Sequence, residues 1–237
     1  MLKKGMKVAV LTGAGISAES GIRTFRAEDG LWEEHRLEDV ATPQAWNANP
    51  EMVWRFYQAR RRQLLEVEVN PAHDALAELE EGFGEDFTLI TQNVDDLHER
   101  AGSKRFIQMH GELRKLRCEE CGHVCEAMEP EQLKDDYVPC SNCSNQRLRP
   151  HIVWFDEEPF GRWNCEAAVH DCDVFIVVGT SGHVYPANNL LPIARHTGSY
   201  CIGVNLDPPL NVDFFHEFHQ GKAGELLPGL VKEWLES

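Results

Sequence analysis

Two cysteine pairs constrain this chain more than any other feature of its sequence. Cys118-Glu-Glu-Cys121 and Cys140-Ser-Asn-Cys143 are Cys-x-x-Cys knuckles separated by 18 residues. In that arrangement two tight turns deliver four thiolates to one tetrahedral zinc ion. A redox dithiol is the alternative, but it needs one pair at a strand-to-helix junction of a thioredoxin-like unit, and neither pair has that setting. Four thiolates leave no coordination position for water or substrate, so the expected zinc is structural rather than catalytic. Cys125 falls outside the paired spacing, and Cys165, Cys172 and Cys201 read as small buried hydrophobes.

The rest of the chain alternates strand and helix signals. Short β-rich runs at Val8–Thr12, Phe87–Thr91, 106–109, Val174–Val178 and Tyr200–Asn205 end at loops rich in Gly, Asn or Asp. Near-continuous apolar character, as in Asp-Val-Phe-Ile-Val-Val-Gly, predicts strands covered on both faces, the habit of a parallel sheet between helices. The main lobe is therefore expected to be α/β. Helical patterns span 51–66, 71–80 with Asn70 as N-cap and Pro71 at the first helical position, and 224–236. In the last, Leu226, Leu227, Leu230, Val231, Trp234 and Leu235 form one apolar stripe suited to docking on the core.

Charge removes several classes of function. With 23 basic against 39 acidic residues the net charge is −16, which opposes wholesale neutralisation of phosphates, so no direct nucleic-acid binding is expected. Arg60, Arg61 and Arg62 are a local basic run, a pattern that is usually a solvated helix face. No stretch approaches the roughly 18 apolar residues of a spanning helix, and the basic start lacks a long enough apolar core for export. The expected compartment is the cytoplasm, with no membrane association.

The first strand runs into Gly13-Ala-Gly15-Ile-Ser-Ala18, a G-x-G-x-x-A sequence. Glycines there allow a tight turn and close approach to a pyrophosphate met by helix N-terminal amides. An ordinary dinucleotide fold would return as a second strand with an acidic residue about 20 positions on. Instead Gly21-Ile-Arg-Thr-Phe-Arg26-Ala-Glu-Asp-Gly-Leu-Trp32 is polar and aromatic together, a loop suited to lie over a ligand. An NAD-like ligand fits this segment, and simple hydride transfer does not.

Taken jointly, Gly13 to Arg26, Thr91-Gln-Asn-Val-Asp-Asp-Leu-His98, His110-Gly, the two cysteine knuckles, Gly179-Thr-Ser181 and Val204-Asn205 resemble the sirtuins, NAD-dependent protein-lysine deacylases, over nearly the whole chain. The likeness is to the bacterial desuccinylase and deacetylase type. The resemblance implies a Rossmann-like parallel-sheet lobe (1–33, 71–115 and 147–237) and a small lobe made of a helical insertion (34–70) and a zinc ribbon (116–146), with the substrate cleft between them. It implies NAD as a consumed co-substrate, acylated lysine-containing proteins as partners, and a monomer. The acyl-lysine amide oxygen attacks the nicotinamide ribose, nicotinamide leaves, and the acyl group passes to ribose. His110 matches the general base, a role for which near-neutral imidazole is suited.

The same match assigns Gly13, Ala14, Gly15, Ser17, Glu19, Ser20, Gly21, Thr24, Phe25, Arg26 and Trp32 to the pyrophosphate and ribose, with Phe25 shielding the reactive carbon from water. Gln92, Asn93 and Asp95 would hold the nicotinamide ribose and carboxamide, although Asn93 and Asp95 could instead cap the next helix. Gly179, Thr180, Ser181, Asn205, Leu206 and Asp207 would hold the adenosine half, with Ala223 closing over adenine. Val153, Trp154 and Phe155 would wall the lysine tunnel, opposite Gly182 to Pro186.

Acyl choice has its own signal. Tyr57 and Arg60 stand three apart on a predicted helix and hence on one face, a phenol and a guanidinium within reach of one carboxylate. The pair resembles the Tyr-x-x-Arg of sirtuins that remove succinyl, malonyl and glutaryl groups, and Ala41 falls where that class keeps a small residue. Both acetyl and acidic acyl groups are expected as substrates. The chain departs from the family at Asp156, where a glycine is usual, with altered peptide register or a preference for basic flanking residues as the expected consequence. Two other functions would use the same residues: ADP-ribosyl transfer or NAD hydrolysis without acyl peptide, and NAD sensing without turnover.

Overall fold

The computed structural model describes residues 2–23, 31–32 and 35–236. In chain order the strands are β1 (Val8–Thr12), β2 (Leu31–Trp32), β3 (His35–Arg36), β4 (Phe87–Thr91), β5 (Phe106–Gln108), β6 (Gly111–Arg117), β7 (Val124–Glu126), β8 (Arg149–Ile152), β9 (Val174–Val178), β10 (Tyr200–Asn205) and β11 (Glu217–Gln220). The helices are α1 (Leu37–Val40), α2 (Pro43–Ala48), α3 (Pro50–Gln63), α4 (Pro71–Phe83), α5 (Leu97–Arg100), α6 (Arg162–Asp171), α7 (Leu190–Thr197) and α8 (Ala223–Glu236).

Six parallel strands form the main sheet in the order β11-β10-β9-β1-β4-β5. Alternation in the apolar strands supplies both faces of this sheet. Val8, Val10, Leu89, Ile176 and Ile202 point to one side and pack with Leu76 and Leu79 of α4 and Leu227, Val231 and Trp234 of α8. Ala9, Leu11, Ile90, Phe175 and Cys201 point to the other, against Val169 of α6 and Leu190, Leu191 and Ala194 of α7. A sheet covered in this way explains why its strands read as unbroken apolar runs. Cys165, Cys172 and Cys201 are buried as expected.

The helices begin where the sequence provides both a cap and a proline. Asn70 Oδ1 accepts from the Ala72 N–H at 2.9 Å, Asn49 Oδ1 from Met52 at 3.2 Å and Thr42 Oγ1 from Ala45 at 3.0 Å, each with proline next in the chain. The expected 51–66 helix is α3, starting one residue earlier at Pro50 and stopping at Gln63. The expected stripe of α8 is buried at Leu227, Val231 and Trp234, but Leu235 is 36% exposed at the edge of the contact with α4. Strand β11 escapes a reading by apolarity because Glu217 to Gln220 is a polar edge strand, paired on one side only.

A second core unites the other lobe. Val40, Trp46, Val53, Trp54, Phe56 and Tyr57 from α1 to α3 pack with Leu113, Leu116, Leu148, Ile152 and Trp154 from the antiparallel sheet β7-β6-β8 and its continuation. The ribbon sheet thus reaches from Gly111 to Ile152, wider than its cysteine-bearing loops. The basic run is only partly solvated: Arg61 is buried with Nη1 on the Gln132 carbonyl at 3.2 Å, while the exposed Arg62 reaches the Leu133 carbonyl at 2.8 Å. These arginines fasten α3 to the ribbon. Among the described residues no helix is long and apolar enough to cross a membrane.

The loop after β1 crosses the loop after β9 at backbone contact. Gly15 N–H donates to the Gly179 carbonyl at 2.8 Å and Gly13 N–H to Val178 at 3.0 Å. A Cβ on Gly15 would lie 2.7 Å from Gly179 Cα, and one on Gly179, whose φ is +64°, would meet Gly15 C at 2.7 Å. Gly198 has φ +93° but open space around it, so it isolates the cost of conformation from the cost of contact. Gly198→Ala should therefore cost about 1 kcal/mol, whereas Gly179→Ala should cost at least ~2 kcal/mol more and lower the melting temperature by ~4 °C or more beyond it. Equal melting temperatures for the two variants would contradict this account of the crossing.

Candidate functional site

The crossing leaves the carboxyl ends of β1, β4, β9 and β10 together, and the polar residues expected there converge. Ser17 is fully buried beneath the loop after β1; its hydroxyl donates to Asp95 Oδ2 at 3.0 Å and accepts from Asn93 Nδ2 at 3.0 Å. Gln92 Nε2 donates to Thr180 Oγ1 at 3.2 Å, joining the loops after β4 and β9. Asn205 Nδ2 donates to the Thr180 carbonyl at 3.1 Å and to the Asp207 carbonyl at 2.8 Å, bringing in the loop after β10. Glu19 Oε1 accepts from Gly224 N–H at 2.8 Å, tying the first loop to the start of α8 beside Ala223. Ser20 accepts from Asn70 Nδ2 at 2.9 Å. Ala14 is half-buried next to Gly13 and Gly15, while Gly21, Ser181 and Leu206 face solvent. Thr24, Phe25 and Arg26 lie outside the described residues.

Asp95 does more than cap. One oxygen accepts from Leu97 N–H at 3.2 Å, the local contact expected of a helix start, and the other is held by Ser17. Burial pushes its carboxyl up to about 6, against the lowering pull of the Leu97 amide and the Ser17 hydroxyl. Because the folded value exceeds the unfolded one, the fold is favoured most below about pH 4 and loses that contribution as pH rises through 6. An ionised Asp95 at neutral pH is thus held at a cost to stability.

His110 follows β5 in a turn, and its Nδ1 lies 3.0 Å from the Gln92 carbonyl. A carbonyl only accepts, so Nδ1 carries the proton and Nε2 presents a lone pair. Burial pushes the imidazole below its ordinary range, opposed by that same carbonyl, so the ring is neutral and basic at Nε2 near neutral pH. The His110 carbonyl accepts from Val153 N–H at 2.9 Å, placing the segment after β8 alongside the imidazole-bearing turn.

That segment also meets the small lobe. Phe155 N–H donates to the Ala41 carbonyl at 3.0 Å, and Phe155 itself is 42% exposed. Trp154 is buried, with its indole Nε1 donating to the Tyr57 hydroxyl at 2.9 Å. Trp32 packs edge-on against Phe56 and Tyr57, with ring centres 5.1 and 6.1 Å away. Arg60 lies over the Phe56 ring at 4.3 Å and lines a small cavity with Trp32, Val94, Asp95 and Leu113. Asp156 has φ +72° and is the one non-glycine residue with positive φ among those described. The backbone there keeps a glycine-like conformation although the residue carries a side chain.

Some residues here have no role in the sequence reading. Thr12 donates to Thr91 Oγ1 at 2.9 Å and lies 3.0 Å from His98 Nε2; His98 stacks edge-on with His73 at 4.9 Å, and His73 Nε2 lies 3.4 Å from Ser17. Burial lowers both imidazoles, His73 to about 4 and His98 to about 3, so this floor under Ser17 is neutral. Its sequence signal is faint: polar residues at the ends of two apolar strands and a histidine on the core face of a helix.

The four knuckle cysteines are brought together by the loops flanking β7. Their Sγ atoms all lie within 4.8 Å of one another, with Cys118 to Cys143 at 3.6 Å and Cys121 to Cys140 at 3.7 Å. Sulfurs about 2.3 Å from one tetrahedral zinc sit about 3.8 Å apart, and bonded pairs would approach to about 2.05 Å. The donor set therefore fits zinc. Asn142 N–H points at Cys140 Sγ from 3.3 Å and Asn145 Nδ2 at Cys118 Sγ from 3.5 Å, which supports thiolate charge. Cys118 and Cys140 belong to the small-lobe core, apart from the hydrogen bonds of His110.

Fold and site together define a Rossmann-type α/β protein with a second lobe built on a four-cysteine metal centre. The chain belongs to the Sir2 family, whose model matches residues 13–186. It is 50% identical to an NAD-dependent protein deacylase of Yersinia pestis over 96% of this chain and 82% of the relative. The corresponding deacylase of Pasteurella multocida is 48% identical over 99% and 100% of the two chains. Among solved structures, a Sir2 homologue in complex with NAD superposes with a TM-score of 0.88 at 40% identity, covering 98% of this chain and 91% of that one. A Sir2 homologue mutant in complex with 2′-O-acetyl ADP ribose gives 0.88 at 41% identity, covering 97% and 92%.

If zinc organises the shared core, its removal should disturb tryptophans that do not touch it, since Trp46, Trp54 and Trp154 belong to the same cluster. Stoichiometric extraction with a chelator should shift the tryptophan emission to the red and abolish near-ultraviolet circular dichroism of the small lobe. An unchanged spectrum with zinc quantitatively released would contradict the structural role.

Proposed function

We propose that the chain removes acetyl and acidic acyl groups, such as succinyl, from protein lysines at the expense of NAD, with His110 as the base. The observation that carries the reading is the bond from His110 Nδ1 to the Gln92 carbonyl, which leaves Nε2 as an acceptor next to the Gln92 to Asp95 segment. NAD supplies an electrophilic ribose carbon, from which nicotinamide departs, and hydroxyls that take the acyl group. The chain supplies position and a proton acceptor.

Gly13 to Gly21, Gly179 to Ser181, Asn205 to Asp207 and Ala223 hold the dinucleotide at the strand ends, where backbone amides and small residues suit phosphate and adenosine. Asn93 and Asp95 orient the nicotinamide half, and Ser17 sets both of their side chains. Phe25 and Trp32 exclude water from the reacting carbon. The acyl-lysine chain enters between Val153 to Phe155 and Ala41, with its peptide added alongside the segment after β8. His110 Nε2 takes a proton from a ribose hydroxyl, and the neutral ring needs no prior deprotonation at working pH.

Acidic acyl groups are read by Tyr57 and Arg60. Arg60 supports this by lining a small cavity together with Asp95, one of the residues assigned to the nicotinamide half. The compartment consistent with eight free cysteines, four of them grouped for zinc, is the reducing cytoplasm. Steady-state kinetics with matched succinyl- and acetyl-lysine peptides test the acyl reading. Arg60→Met should raise the KM for the succinyl peptide by about tenfold to a hundredfold, the worth of a charge-assisted hydrogen bond, with a much smaller change for acetyl. Equal losses on both peptides would remove Arg60 from acyl recognition, and turnover without any acyl peptide would replace deacylation by NAD hydrolysis.

A further inference from the structure

The hydroxyl of Tyr57 is wholly buried, and its oxygen already accepts a hydrogen bond from Trp154 Nε1 at 2.9 Å. An indole nitrogen donates and never accepts. The phenolic proton must therefore point away from Trp154, and among the described residues it meets no acceptor. A buried donor without a partner is costly, so the geometry calls for an acceptor that arrives with a ligand. Burial also raises the phenol well above its ordinary range, which keeps the proton on oxygen at any working pH.

Trp154 is itself rigidly held. Its backbone N–H donates to Glu157 Oε2 at 2.9 Å, and the Arg149 guanidinium covers the indole at 3.4 Å from the ring centre. Arg149 grips both Glu157 oxygens at 2.8 and 3.0 Å, and Arg117 contacts the same carboxylate at 3.1 Å. The indole thus cannot turn to free the phenol without giving up its stack with Arg149.

We infer that Trp154 determines acyl specificity through Tyr57: by filling the acceptor side of the phenol it makes Tyr57 an obligate donor, matched to the carboxylate of an acidic acyl group. The inference rests on the acidic-acyl reading above. Trp154→Phe keeps an aromatic ring under Arg149 and deletes the N–H. Its test is kcat/KM on succinyl- and acetyl-lysine peptides for the parent, Trp154→Phe, Tyr57→Phe and the double variant.

Trp154→Phe should lower the succinyl-to-acetyl ratio about fivefold, the loss of one hydrogen bond's worth of about 1 kcal/mol, mostly through KM. The same substitution in the Tyr57→Phe background should cause no further fall in that ratio. A drop that is equal on both peptides, or that persists without the Tyr57 hydroxyl, would overturn the inference as mere packing. If Tyr57→Phe lowers the ratio and Trp154→Phe does not, the inference falls while the acidic-acyl reading stands; if Tyr57→Phe leaves the ratio unchanged, both fall. Should Trp154→Phe not fold, 3-benzothienylalanine placed at position 154 alone keeps the bicyclic shape without the N–H, and the same outcomes decide.

Discussion

Backbone meets backbone where the loop after β1 crosses the loop after β9, and the site hangs from that contact. Only residues without Cβ allow the Gly15 amide to reach the Gly179 carbonyl at 2.8 Å. Closure of that gap sets Ser17 under Asn93 and Asp95, and sets Thr180 where Gln92 and Asn205 can both bond to it. A G-x-G sequence of this kind is usually explained by approach to phosphate. Here the same glycines are first required by the protein itself, as the condition for four strand ends to share one polar floor.

The second lobe meets this floor in part through the backbone after β8. Val153 N–H to the His110 carbonyl and Phe155 N–H to Ala41 carry the segment after β8 across from His110 to the helical insertion. Directly behind it, the carboxylate of Glu157 gathers Arg149, Arg117 and the Trp154 amide. A half-buried ion cluster of this sort contributes little net stability but restricts geometry. Its effect here is to fix one indole, and through that indole the phenol of Tyr57.

Much of this was legible in the residues. Apolar runs located five of the six main-sheet strands because burial on both faces demands them, and Asn70-Pro71 marked the start of α4 because cap chemistry is local. The cysteine spacing gave the metal centre for the same reason. What escaped was long-range and polar. Strand β11 is a polar edge, Arg61 reads as solvated until the ribbon closes over it, and nothing local in Thr12, His73 or His98 says that they meet. The partnership of Trp154 with Tyr57 spans 97 positions, and no spacing rule links them.

The central claim is acyl transfer from lysine to the ribose of NAD, and its product has a distinctive mass. Matched acetyl- and succinyl-lysine peptides incubated with the enzyme, with and without NAD, would be followed by mass spectrometry for deacylated peptide, nicotinamide and acyl-ADP-ribose together. The account predicts equal amounts of all three from both peptides, and only with NAD present. Deacylated peptide without NAD, or nicotinamide without acyl-ADP-ribose, would contradict it.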